Sequence, residues 1–313
     1  MRGLHLIPPG VNIGFISRKN LFFVFSAFLV LSSIGLYVAK GLNYGIDFKG
    51  GILMEIKTTA GPADIGKMRG TLTGLNLGDV SLQEFGAPNE IMITVQSQKG
   101  GEKAQAAAVN SIKKALGDNI EYRRTEFVGP KVSQELLMDG IYAVSAAMFA
   151  ILLYVWFRFE WQFGLAAVVA LVHDVMSTIG IFSLLGMEFN LTTVAAVLTI
   201  AGYSINDTVV VFDRVRENLR RYKSMPLPEL LNKSVNETLS RTIMTSFTTL
   251  LALLALYVLG GEVIRGFSFA MIWGIVVGTY SSICLAVPML LYLNLQRRGG
   301  AKDTDSNKQE AAV

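Results

Sequence analysis

The sequence predicts a polytopic α-helical membrane protein of six transmembrane helices, with one α+β domain inserted between the first and second. Three observations predict it. Apolar residues gather in blocks, six of those blocks reach the roughly 20 residues that cross the hydrocarbon core, and roughly 90 residues after the first block switch to alternating and short amphipathic patterns.

The six blocks are Leu21–Val38, Leu136–Phe157, Phe163–Leu185, Leu191–Phe212, Thr242–Leu259 and Phe267–Leu293. The first and fifth are short and need little tilt. The last is long enough to tilt, or to kink near Pro288. The division that follows is an N-terminal segment 1–20, a first helix 21–38, an extracytoplasmic domain 39–134, a bundle of helices two to six over 135–295, and a polar, disordered tail 296–313. Leu21–Val38 follows Arg18-Lys19 as a signal peptide would. It is longer than an ordinary signal core and has no small-residue cleavage site before Lys40, so it reads as a retained anchor.

The formal net charge is +4, and its placement argues against nucleic acid. Arg18, Lys19, Arg158, Arg214, Arg216, Arg220, Arg221, Lys223, Lys233, Arg297 and Arg298 fall in the short loops of one side, against Arg265 on the other. That bias puts both termini in the cytoplasm. Cys284 stands alone, which excludes an intrachain disulfide.

In the inserted domain, Gly51–Thr58 reads as a strand with Ile52, Met54 and Ile56 on one face. Pro62–Leu75 reads as a helix with its proline near the first turn. Asp79–Phe85 and Ile91–Ser97 read as strands joined by a Gly-Ala-Pro-Asn turn, Glu102–Leu116 as a helix, and Ile120–Val128 as a closing strand. The order βαββαβ is that of a ferredoxin-like unit. Between Gly41 and Gly129 there are ten basic and ten acidic residues, no cysteine and no histidine. Metal binding and an acidic ligand are therefore not expected there, nor is a catalytic set. A module that binds polypeptide or lipid and moves with the helices fits, and so does a lid or docking surface. Gly45-Ile46-Asp47-Phe48-Lys49-Gly50-Gly51 precedes a strand rather than a helix. It therefore reads as a tight turn with close backbone approach, not a phosphate cradle.

The chemistry-bearing residues lie inside the spans. Asp207 is an acid within an apolar helix, where a charge costs about 2.5–3.5 kcal/mol on insertion scales. Ile200, Tyr203, Ser204 and Asp207 share one face, flanked by Asn206 and Thr208, and Ile205, Val209 and Phe212 share another, suited to lipid or neighbouring helices. In the next span Arg241, Thr245, Thr248 and Thr249 share a face with Thr242 and Ser246 beside it. Arg241 is thus a candidate ion-pair partner for Asp207 or an anchor at the headgroups. His173-Asp174 in the third span suits a proton relay, or an Asp174 that accepts hydrogen bonds from neighbouring helices. Adjacent residues point roughly 100° apart, so the two would not face one cavity equally. Leu227, Leu230, Leu231, Val235 and Leu239 form the stripe of an amphipathic helix expected to lie in the cytoplasmic interface. With no P-loop, nucleophile elbow or metal spacing, neither enzyme, metal nor cofactor is expected.

Three stretches together carry a resemblance: Gly45–Gly51, Tyr203-Ser204-Ile205-Asn206-Asp207-Thr208 continuing to Glu217, and Ser240-Arg241-Thr242-Ile243-Met244-Thr245-Ser246. They resemble the SecF family of bacterial protein-export membrane proteins, within the resistance-nodulation-division superfamily. Val128-Gly129-Pro130-Lys131-Val132 and His173-Asp174 also fit its pattern. The resemblance implies a six-helix inner-membrane subunit with one periplasmic ferredoxin-like domain. It implies work beside SecD and the SecYEG channel, with YajC or YidC as further partners. Proton-motive force would then assist late steps of moving an exported polypeptide. Asp207 falls on the family's intramembrane acidic position and Arg241 on its basic one. Two other readings stay open: a superfamily transporter of a small solute or lipid, and a membrane scaffold in which Asp207 and Arg241 are structural.

Overall fold

The computed structural model describes residues 11–293 and 295, so the tail 296–313 and the first ten residues lie outside the described residues. In chain order the elements are α1 (Lys19–Lys40), β1 (Asn43–Tyr44), α2 (Ile46–Lys49), β2 (Gly51–Thr58), α3 (Ile65–Thr73), β3 (Val80–Phe85), β4 (Ala87–Val95), α4 (Gly101–Leu116) and β5 (Ile120–Val128). Then follow α5 (Pro130–Arg158), α6 (Trp161–Leu185), β6 (Glu188–Phe189), α7 (Leu191–Arg221), α8 (Leu227–Leu259), α9 (Arg265–Ser281), a π-helical turn Ser282–Ala286 and α10 (Val287–Met289). Among the described residues six helices are long and apolar enough to cross a membrane: α1, α5, α6, α7, α8 and the run from α9 to Tyr292.

Lipid as solvent explains which faces these helices hide. In α1 the large side chains Leu21, Val24, Phe28 and Leu31 point outward, while Ser26 and Ser33 are buried against the bundle. Small polar residues let helices approach and bond, whereas leucine gains little by leaving lipid. Centrally, α9 packs against α6, α7 and α8, and α1 lies along α6. In the span expected to tilt or to kink near Pro288, a π-helical turn lies just before that proline. Proline has no N–H to bond the carbonyl four residues back, and a widened turn accommodates that loss.

One expectation, for the start of the helix after α7, is corrected. The stripe Leu230, Leu231, Val235 and Leu239 does not lie in an interfacial plane. It begins α8, which runs unbroken for 33 residues, and it is buried in one cluster with Val211, Phe212 and Val215 of α7. Ile205 and Phe212 are buried against neighbouring helices, one of the two settings their stripe suits. Packing against the overhanging end of α7 removes the stripe from water more completely than a headgroup layer can.

The inserted domain shows the βαββαβ order, with sheet order β3-β4-β2-β5 and every neighbouring pair antiparallel. Ile52, Met54 and Ile56 are fully buried as expected, beneath Met68 and Leu72 of α3 and Val109 and Ile112 of α4. The first domain helix starts at Ile65 rather than near Pro62, because the Asp64 side chain accepts from the Lys67 N–H and caps it. The expected Gly-Ala-Pro-Asn turn is tighter: only Gly86, at φ +90°, separates β3 from β4.

Burial of the α8 stripe has a measurable consequence. Leu231→Ala should destabilise the detergent-solubilised chain by about 2–5 kcal/mol, as for a core leucine. Thermal unfolding reads this, and an unchanged midpoint would return the stripe to the interface.

Candidate functional site

Two buried carboxylates from adjacent helices define the polar centre of the bundle. Asp207, 8% exposed, accepts from Thr242 Oγ1 of α8 at 2.7 Å on one oxygen and from Ser282 Oγ at 2.5 Å on the other. Asp174 of α6 is wholly buried. Its Oδ2 accepts from Ser204 Oγ of α7 at 2.5 Å and from Ser281 Oγ of α9 at 2.8 Å, and its Oδ1 lies 2.9 Å from His173 Nδ1. Hydrogen bonds to a charged group contribute about 1.5–3 kcal/mol each, enough for such shells to offset the insertion cost of an acid.

Helix geometry delivers these donors. Ser281 and Ser282 are consecutive, so their side chains diverge by roughly 100° and serve carboxylates on two different helices. The approach of α9 to α7 depends on Gly274 and Gly278, spaced one turn apart. A Cβ at Gly274 would overlap Ile200, and one at Gly278 would stand 3.3 Å from Ser204 Cβ. Ser246 Oγ and Thr279 Oγ1, 2.6 Å apart, extend the polar seam between α8 and α9.

Arg241 lies within electrostatic reach of Asp207 without contacting it. Arg241 is exposed, and among the described residues no ion pair joins them. The buried face of α8 carries Thr242 and Ser246, while Thr245 and Thr248 are exposed and return their hydroxyls to their own helix. Asn206 is also exposed, on the flank of α7 away from Asp174. The His173–Asp174 pair behaves differently from its expected divergence: the imidazole turns back onto the neighbouring carboxylate, and both are buried. Asp174 accepts from neighbouring helices as one reading of the sequence expected. Ser281, Ser282, Gly274 and Gly278 were not singled out in the sequence, although the Gly274–Gly278 spacing and the paired serines are visible there.

The glycine motif forms a second functional element, a joint. β1 pairs in parallel with β6, and the Gly45 N–H donates to Phe189 O. A side chain at Gly45 would collide with Glu188 and Asn190. Asp47 Oδ2 accepts from the Leu191 N–H at 2.9 Å, which caps the first turn of α7 with a carboxylate. Gly50 and Gly51 then turn the chain into β2 at φ +71° and +135°, where a Cβ on Gly51 would strike Val95 O. The tight turn and close approach expected of this motif are therefore present, together with a cap and a short helix that were not expected. Burial, and secondarily the Asp47 carboxylate beside it, hold the Glu188 carboxyl above its ordinary range.

With this geometry in view, comparison with known proteins decides the family. The model for the SecD/SecF C-terminal region of protein export membrane proteins matches residues 108–296, and that for the SecD/SecF GG motif matches 38–61. The chain belongs to the SecD/SecF family. It is 47% identical to a protein translocase subunit SecF of Cereibacter sphaeroides, over 99% of this chain and 98% of that one. It is 46% identical to that of Rickettsia rickettsii, over 92% and 94%. Among solved structures it is similar to SecDF, a translocon-associated membrane protein from Thermus thermophilus, at TM-score 0.82 and 36% identity. That match covers 91% of this chain and 39% of that longer one. SecDF in its super-membrane-facing form gives TM-score 0.68 and 34% identity, over 99% and 40%. The matched GG-motif segment contains the glycine side of the joint, and the matched C-terminal segment contains its β6 side and both carboxylates.

Two outcomes follow. Gly278→Val should separate α9 from α7 and destabilise the chain by about 1–3 kcal/mol, as overpacking does, with Gly278→Ala milder; thermal unfolding measures both. For the joint, a carboxyl raised in the folded state gives stability that is full below its ordinary value near 4.5 and is lost as pH rises through the raised one. Glu188→Gln should remove that slope, read as protection of the Gly45 amide from exchange at matched pH.

Proposed function

We propose that this chain is the smaller, proton-coupled membrane subunit of the Sec protein translocase, and that Asp207 holds the proton. Translocase membership is supported by likeness along nearly the whole length to translocase subunits named SecF. That likeness favours export over the small-solute or lipid alternative. The observation that carries the proton role is the Asp207 shell. It has two hydroxyl donors and no paired cation among the described residues. A hydroxyl can donate to a carboxylate or accept from a carboxylic acid, so the same shell serves both protonation states. Ser282 Oγ also reaches Thr279 O at 3.1 Å and can turn its hydrogen there when Asp207 is protonated. An arginine clamp would hold the acid ionised; hydroxyls leave it free to cycle.

In this reading Arg241, one residue before Thr242, acts on Asp207 through space or after a roll of α8. The exposed polar flank of Asn206, Arg241, Thr245 and Thr248 faces a SecD-type chain, since such a face is costly against lipid. The α+β domain, whose sheet order is that of a ferredoxin-like unit, lies on the periplasmic side and meets the exported polypeptide. Both termini lie in the cytoplasm of an inner-membrane protein, as the basic loops require.

One charge crossing 100 mV is worth about 2.3 kcal/mol, a rate effect of up to roughly 50-fold. Cells with Asp207→Asn should lose the gradient-dependent part of export while keeping normal levels of the protein. Undiminished gradient-dependent export would sink the proton role.

A further inference from the structure

The Asp207 mechanism leaves an equally buried ionisable group unused. We propose that His173 and Asp174 form a second proton-holding site, coupled to Asp207 through the adjacent hydroxyls of Ser281 and Ser282. The proposal rests on the proton-coupled reading above and extends it to a second place in the same bundle.

Three observations carry it. First, His173 is 2% exposed and its Nδ1–H is committed to Asp174, while its Nε2 has no hydrogen-bond partner among the described residues. A buried imidazole held in one tautomer by a carboxylate presents a basic lone pair, which takes a proton from water and returns it to water. With that proton the pair is net neutral; without it a single negative charge stays buried. Second, Asp174 accepts from His173, Ser204 and Ser281, a shell suited to an anion that remains ionised while the imidazole changes state. A purely structural bridge between α6, α7 and α9 needs no ionisable pair, as hydroxyls and amides would serve.

Third, the two acids share a hinge of hydroxyls. Ser281 Oγ reaches Asp174 Oδ2 at 2.8 Å or Gly278 O at 3.1 Å, and Ser282 Oγ reaches Asp207 Oδ2 at 2.5 Å or Thr279 O at 3.1 Å. Each hydroxyl has a carboxylate position and a backbone position. The two are neighbours where α9 gives way to the π-helical turn, a form of helix irregularity common at functional sites. Ser204, the other hydroxyl on Asp174, stands one turn from Asp207 on α7. A proton arriving at either acid changes what its serine must do, and the shared turn passes the change on.

His173 and Asp174 have no ion-pair partner other than each other among the described residues. Tyr280 of α9 has its ring centroid 6.1 Å from that of His173, and Asp207, on which Arg241 of α8 acts electrostatically, stands one turn beyond Ser204 on α7. Tyr280 is occupied with Phe22 O and Ser26 of α1. Among the described residues no lysine or arginine pairs with either carboxylate. Arg241 reaches Asp207 only through space, and a proton on one of the two carboxylate sites eases ionisation of the other.

The chain has two histidines, His5 and His173, which makes the test direct. Full-length protein with His5→Gln, labelled with 15N-histidine and placed in lipid bilayers, gives one imidazole to follow by solid-state NMR from about pH 5 to 9. The expected result is a neutral Nδ1–H tautomer at high pH that becomes the imidazolium as pH falls. Asp207→Asn should move that transition to lower pH by about one unit or more. Ser281→Ala with Ser282→Ala should shrink the displacement by about half. An imidazole that stays neutral throughout overturns the second site. A transition indifferent to Asp207→Asn overturns the coupling, and one whose displacement survives without the serines overturns their part. None of these bears on whether export needs Asp207, which the cellular assay reads separately.

Discussion

An acid inside a membrane must keep its hydrogen-bond donors, and that constraint organises this bundle. Asp207 takes one donor from α8 and one from the π-helical turn after α9, so three elements are tied at one carboxylate. Asp174 does the same for α6, α7 and α9. Hydrophobic burial cannot align helices inside lipid, where leucine is as well solvated outside the bundle as within it. The polar shells supply the specificity that a soluble protein draws from its core. Small residues do the rest: Gly274 and Gly278 let α9 come close enough to α7 for the serines to reach.

The composition of the shell matters as much as its position. Serine and threonine hydroxyls rotate and both give and accept hydrogen bonds, so they hold an acid without fixing its charge. This distinguishes the bundle interior from the end where α5 meets α6 and α7 meets α8. There Arg158 forks onto both Asp213 oxygens at 2.9 Å, and Arg214 binds Glu217 and Glu237. Those carboxylates are each held by a guanidinium cation. The interior ones are met chiefly by hydroxyls.

Much of this was legible in the sequence, and the failures share a physical cause. Ile52, Met54 and Ile56 alternate with a period only a half-buried strand explains, and they are buried. Asp207 stood out because hydrocarbon penalises charge. The hydroxyl donors were missed because α8 offers two overlapping faces, one with Arg241, Thr245 and Thr248, the other with Thr242 and Ser246. Spacing cannot choose between faces roughly 100° apart. The choice is made by Ser282, which is 75 residues from Asp207 and belongs to a helix whose position no local pattern specifies. The amphipathic stripe of α8 failed for the same reason. Its periodicity was read correctly and its partner was not, because an overhanging α7 and a headgroup layer satisfy the same stripe.

The glycine motif gives the charge chemistry a mechanical outlet. Asp47 caps α7 at Leu191, sixteen residues before Asp207, a distance of about 24 Å along a helix. Two residues after Lys49 the chain enters β2, the central strand of the α+β sheet. A shift of α7 therefore reaches the sheet through one helical strut and a joint of two-residue strands, with no flexible linker between them. The joint is stiff because its parts are crowded: Gly45 leaves no space beside Glu188, and Gly51 leaves none beside Val95. A side chain at either glycine would force β1 from β6 or β2 from β4. The glycines thus maintain the connection between the membrane acid and the domain outside it, and their smallness serves rigidity rather than flexibility.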